Sequence, residues 1–167
     1  MELEANAELL GRVPIFQGLT TGQLNAIVNR GREVQFEQAS MVLTRGERGN
    51  AAYLILSGSV ALQHVEQSPH SPELLGCGSF LGELAMLVET TFTLSVVTRW
   101  PVRALALKRA AMFELMEEDP SIAHHFSLKL LERLLTLAID LRRLDGKFAM
   151  IELSLDQAIA EAGGRGL

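Results

Sequence analysis

Leu75-Gly76-Cys77-Gly78-Ser79-Phe80-Leu81-Gly82-Glu83-Leu84-Ala85-Met86-Leu87, running on through Val88-Glu89-Thr90-Thr91-Phe92-Thr93-Leu94-Ser95-Val96-Val97, decides how the rest of the chain is read. Gly76 and Gly78 mark a tight turn, and Gly82-Glu83-Leu84-Ala85 opens one short helical turn between two strands. Gly82 has no Cβ to hold a ligand away from the backbone. The first N–H groups of such a turn lack partners inside it and can point at an anion. Glu83 sets an acceptor carboxylate beside those donors, which suits a hydroxyl rather than a phosphate. Anion donors next to a hydroxyl acceptor fit a sugar phosphate. The same residues also make a strand–helix turn that holds nothing.

On both sides of this stretch the hydrophobic period is two. Val34 and Phe36 alternate with polar residues, Met41-Val42-Leu43 follows, and Gly46 and Gly49 bound a turn. Ala52 to Leu62 reads as a strand pair broken at Ser57-Gly58, and Gln63 to Glu73, with Pro69 and Pro72, reads as a hairpin loop. Phe92, Leu94 and Val96 alternate against Thr93, Ser95 and Val97, and Val102 to Leu107 is the last strand, with Arg99 in the turn between. Many short strands with regular turn signals predict a sandwich or barrel, here a jelly roll.

The ends are helical. Ala5, Leu9, Leu10 and Val13 form a short stripe that Pro14 breaks, and Ile15 to Leu19 make an apolar hook. Thr20 with Gln23 fits a capping box for a helix carrying Leu24, Ile27 and Val28. After Lys108, Met112, Phe113, Leu115 and Met116 fit one short helix, and Asp119-Pro120 is an N-cap followed by proline at the first helical position. Leu130, Leu134, Leu137, Leu141, Leu144 and Phe148 then recur at alternating steps of 4 and 3, which fits either the seam of a parallel helix dimer or one wide apolar face buried within a monomer. Leu131, Leu135 and Ala138 form a second stripe suited to packing on the barrel. Gly146 weakens the last turn, and residues 147–167 form a tail with a short amphipathic helix. The expected division is 1–31 helical, 32–107 jelly roll, 108–146 C-terminal helices and 147–167 tail. The class is α+β and mainly β: a double-stranded β-helix barrel with an N-terminal helical bundle and a long C-terminal helix.

Composition narrows function. The 167 residues suffice for one domain with a real core, and 48% are hydrophobic. A net charge of −5 argues against DNA binding by this chain alone. No apolar run approaches the roughly 20 residues of a membrane span, and the acidic start Met1-Glu2-Leu3-Glu4 is unlike a signal peptide, so a cytoplasmic location is expected. Cys77, the only cysteine, excludes disulfides within the chain and cysteine-rich metal sites, and reads as a packed strand-end residue. His64, His70, His124 and His125 include no metal pair, because His124 and His125 point to different helix faces. No nucleophile–base or acid–base spacing supports an enzyme, so no catalytic or metal-binding residue is assigned.

Phe80 to Leu87 resembles the phosphate-binding cassette of cyclic-nucleotide-binding domains, the family of the bacterial catabolite activator protein. Thr44-Arg45-Gly46-Glu47-Arg48-Gly49-Asn50 through Ser57-Gly58-Ser59-Val60 is similar to that family's second signature. The likeness covers roughly Leu9 to Leu144. It implies a regulatory, Crp/Fnr-like sensor of cAMP or cGMP, a homodimer through the C-terminal helix about Leu130, Leu134, Leu137, Leu141 and Leu144, and a ligand site at Gly82, Glu83, Leu84, Ala85, Phe92 and Thr93. Glu83 would hold a ribose hydroxyl, the backbone near Leu84 and Ala85 a phosphate, and Thr136 would be the hydroxyl nearest the base. Some family members bind haem through a histidine, and nothing singles one out here.

The chain departs from the family at the end of the cassette. There the family has Pro-Arg-Ala-Ala/Ser, whose arginine pairs with the cyclic phosphate. Gapless alignment from Gly82 places Thr91, Phe92 and Thr93 at the first three of those positions, and no arginine or lysine lies between Gly49 and Thr98. A phenyl ring cannot replace a guanidinium fork. Two readings follow: a sensor that takes a cyclic nucleotide or a related small anion weakly, or a degenerate domain serving protein interaction or dimerisation without nucleotide. The chain is too short for the winged helix–turn–helix of the family's transcription factors. It is either a sensor without that output domain or a piece of a longer chain, and any protein partner is unidentified.

Overall fold

The computed structural model describes residues 2–63 and 73–163. Residues 64–72 of the expected hairpin loop, with His64 and His70, lie outside them, as do residues 164–167. Two units are distinguished, Met1–His125 and Phe126–Leu167.

The first unit opens with α1 (Glu2–Gly11), a 3-10 turn at Pro14–Phe16 and α2 (Thr21–Arg30). The capping box is present: the Gln23 N–H donates to Thr20 Oγ1, and the Gln23 side chain accepts from the Thr20 N–H. Ten short strands follow among the described residues: β1 (Arg32–Phe36), β2 (Met41–Leu43), β3 (Arg48–Gly49), β4 (Ala51–Ser57), β5 (Val60–Gln63), β6 (Leu74–Leu75), β7 (Phe80–Leu81), β8 (Thr90–Thr91), β9 (Ser95–Thr98) and β10 (Val102–Lys108). The helix α3 (Arg109–Glu118) comes next, and α4 begins at Pro120 and ends at Gly163.

All strand pairs among the described residues are antiparallel. One sheet has the order β1-β10-β4-β7, another β2-β9-β5-β6, and β3 pairs with β8 alone. Val42, Leu43, Ile55, Val60, Leu81, Val96, Val102 and Ala104 form the buried core that the two larger sheets contribute. This is an architecture of the jelly-roll kind. Strand β10 is covered on both faces, which explains its unbroken apolar run Ala104-Leu105-Ala106-Leu107. A Cβ on Gly31, at the end of α2, would meet Leu105 Cδ1 at 2.6 Å. Gly58, at φ +87°, leaves no room either, since its Cβ would stand 2.2 Å from the Pro101 carbonyl oxygen.

Three expectations are corrected. Phe92 to Leu94 is not strand: β8 and β9 are separate, and the chain turns at Thr93-Leu94 between them. Cys77 is exposed rather than packed, because it sits at the tip of the Gly76–Gly78 turn. The helix expected to end near Gly146 continues to Gly163, so 147–163 is no separate tail. One glycine costs a helix about 1 kcal/mol relative to alanine, too little to break a run flanked by Leu144 and by Phe148-Ala149-Met150.

In the second unit α4 carries its leucines in the open. Leu134, Leu137, Leu141 and Leu144 are 64%, 52%, 62% and 48% exposed, and Leu130 is half-buried. Leu131 and Leu135, expected on the barrel, are also exposed. No helix among the described residues is long and apolar enough to cross a membrane.

Candidate functional site

The cassette is held from below by its leading turn. Gly78 adopts φ +86°, its N–H donates to the Ile55 carbonyl at 2.8 Å, and the Ile55 N–H donates to Ser79 at 2.9 Å. Phe80 then enters β7 with its ring edge-on to Phe16, centroids 5.2 Å apart. Gly82 caps the next turn in the left-handed region at φ +68°, where a side chain would be strained. Glu83–Met86 form one 3-10 turn, with Ala85 and Met86 buried and Glu83 and Leu84 half-buried. The Ala85 N–H donates to the Gly82 carbonyl at 2.9 Å, so that donor is already committed within the turn.

Arg109, the first residue of α3, ties the far side. Its Nη1 donates to the carbonyls of Gly49 at 3.1 Å, Ala85 at 3.4 Å and Val88 at 3.0 Å. One guanidinium thus fastens β3, the 3-10 turn and the loop after it, with charge-assisted bonds to carbonyls the short turn leaves open. Sequence reasoning passed over Arg109. A signal did exist: a cation at the first position of a helix faces the positive end of the helix dipole and needs a tertiary reason to be there.

Phe92 is fixed through its backbone. Its N–H donates to the Glu47 carbonyl at 3.0 Å, and its carbonyl accepts from the Gly46 N–H at 2.9 Å. Its ring lies over the cassette. A Cβ on Gly82 would come within 3.0 Å of Phe92 Cε1, and one on Gly49 within 2.8 Å of Phe92 Cζ and 2.6 Å of Ala85 Cβ. The ring also packs against the barrel core. The two glycines that open space in the cassette therefore open it onto a phenyl group.

Gly82, Glu83, Leu84, Ala85 and Phe92 are brought together, while Thr93 is exposed in the turn before β9. The Thr136 hydroxyl donates to the Glu132 carbonyl of its own helix at 3.0 Å. His124 is exposed. The His125 ring Nε2 lies 2.9 Å from the Ile15 carbonyl, a structural contact. Among the described residues, no group of three or more His, Cys, Asp and Glu side chains could hold a metal ion.

The family profile described as "Cyclic nucleotide-binding domain" matches residues 33–119, just over half of the chain. The chain belongs to that family. Over 120 residues this cyclic nucleotide-binding domain is 35% identical to a putative potassium channel protein of Rhodopseudomonas palustris, covering 71% of this chain and 29% of the channel. Over 131 residues it is 29% identical to a CRP-like cAMP-activated global transcriptional regulator of Mycobacterium tuberculosis, covering 76% of this chain and 58% of the regulator. The chain thus spans less than two thirds of these relatives. The catabolite activator protein of Thermus thermophilus superposes with TM-score 0.61 at 28% identity, over 80% of this chain and 63% of that one. The N-terminal domain of a Streptomyces coelicolor transcriptional regulator superposes with TM-score 0.68 at 21% identity, over 77% and 91%, a likeness of fold.

Proposed function

We propose that this chain is a regulatory ligand-sensing domain whose cassette has exchanged its phosphate-pairing arginine for Phe92, so that cAMP and cGMP bind weakly. The observation that carries the reading is the Phe92 ring against Gly82 and Gly49. A phosphate approaching Gly82 must compete with that ring and finds no guanidinium. A hydrogen bond to a charged group contributes about 1.5–3 kcal/mol, so its loss weakens binding about tenfold to a hundredfold. The carboxylate position, Glu83 at the start of the turn, remains suited to a ribose hydroxyl.

Calorimetric titration of ligand-stripped protein with cAMP and cGMP tests this. The expected dissociation constants lie on the order of 100 µM or weaker, and Phe92→Arg should tighten binding at least about tenfold by restoring a bidentate charge pair. Submicromolar cAMP binding by the wild type would overturn the role given to Phe92.

A second reading is favoured by the exposed leucine row of α4: a dimerisation or protein-interaction module that binds no nucleotide. No gain in Phe92→Arg, with an unchanged circular dichroism spectrum, would select it. In both readings the domain is a homodimer through α4, works in the cytoplasm without catalysis, and leaves DNA binding to other segments or partners.

A further inference from the structure

On strand β3 successive residues face opposite ways. Gly49 is buried towards Phe92 and Ala85, and Arg48 points outward, in register with Thr91 of β8. Arg48 therefore does not replace the missing cassette arginine. It lines a second cavity of about 250 Å³, together with Gly49, Glu89, Thr90, Thr91 and Arg109. We infer that this cavity is a binding site for a small phosphate-like oxyanion, between the β3–β8 ribbon and the start of α3.

Four observations carry the assignment. First, two guanidinium groups border one cavity on a chain whose net charge is −5. Second, the Arg48 guanidinium has no hydrogen bond or ion pair among the described residues and is exposed, so its donors are free to be used. Third, Arg109 is anchored through Nη1 by three carbonyls, which leaves Nη2 directed elsewhere; its carboxylate neighbour there, Glu89 Oε1, is 3.9 Å away on a side chain 90% exposed. Fourth, Thr91 brings a hydroxyl donor to the same cavity, and the Thr90 hydroxyl, which donates to the Thr91 carbonyl at 3.4 Å, lies beside it. The volume falls below the roughly 300–1,000 Å³ of pockets that hold drug-sized ligands, so the occupant is small. Two planar forks with an adjacent hydroxyl match the several oxygens and double charge of phosphate better than a single carboxylate. Glu89 is the tethered competitor. An oxyanion displaces it from Arg109 and joins β3 to the start of α3.

The test is titration of the full chain with inorganic phosphate and with sulfate at constant ionic strength, read by amide chemical shifts, with chloride as control. Saturable shifts at residues 48, 90, 91 and 109 are expected with both oxyanions and not with chloride. Arg48→Gln should weaken binding about fivefold or more, as befits a partly exposed charge pair, and Glu89→Gln should strengthen it. Arg109 is left intact because it fastens the cassette. Arg48→Gln should leave the cAMP titration unchanged, so failure of weak cyclic-nucleotide binding and failure of this site are separately visible. Absence of saturation or equal binding by Arg48→Gln would each overturn the assignment.

Discussion

Leu54 and Leu134 are the same side chain in opposite surroundings. Leu54, in the middle of β4, is fully buried, and Leu134, on α4, is 64% exposed. Burying a leucine contributes about 1.5–3 kcal/mol relative to leaving it in water. The barrel has already collected that contribution within one chain. The row Leu134, Leu137, Leu141 and Leu144 has not, and its spacing by 3 and 4 is the pattern that a second helix covers. The first region buries its leucines within one chain, and the second leaves them exposed.

The sharpest way to break this comparison is to place charge in the seam. Leu134→Glu with Leu141→Glu should abolish dimers in the micromolar range by light scattering while the thermal unfolding of the barrel is retained. A wild type already monomeric at high micromolar concentration would remove the distinction between the regions. Next in size, Leu54→Ala should destabilise the barrel by about 2–5 kcal/mol in denaturant titration, the range for large-to-small core changes. Its loss should not depend on protein concentration, whereas the effect of the α4 changes should. A smaller effect is expected of Thr20→Ala, which removes the hydroxyl that accepts from the Gln23 N–H and should cost about 1 kcal/mol in the same titration.

The smallest effect concerns acid. The Ser121 hydroxyl and N–H hold the Asp119 carboxyl below the usual aspartate range. A depressed folded-state pKa gives stability that is present above the unfolded value, near 4, and lost as pH falls through the folded value. Asp119→Asn should therefore flatten the acid side of the stability curve below about pH 4, followed by thermal melts between about pH 5 and pH 2. An unchanged slope would show that the carboxylate at the start of α4 contributes nothing to the pH dependence.

What the sequence made legible was local. Thr20 with Gln23 and Asp119 before Pro120 are contacts between near neighbours, and both are found where the spacing put them. Strands β4 and β10 were legible as short apolar runs bounded by turn signals. The separation of β8 from β9 was not legible, since Thr93 and Leu94 continue the alternation while the backbone turns. Arg109 was hidden for a different reason: its three acceptors come from positions 49, 85 and 88, which only the folded chain assembles. For Phe92, gapless spacing gave its position beside the cassette, but the packing of its ring on Gly49 required the register of β3 against β8. The continuity of α4 through Gly146 was misjudged because a local cost was weighed without the long flanks that outweigh it.

Gly82 carries a consequence for how such proteins are recognised. Its left-handed backbone would strain a side chain, and the phenyl ring at 3.0 Å from a would-be Cβ would have to give way, with no ligand involved. A saturation-mutagenesis scan for folding alone should therefore return glycine at position 82 as intolerant, and glycine at position 49 with it. Purifying pressure on architecture would then preserve the letters of a nucleotide-binding signature through any number of generations after the nucleotide had ceased to matter, and the motif would persist as a fossil of its former chemistry.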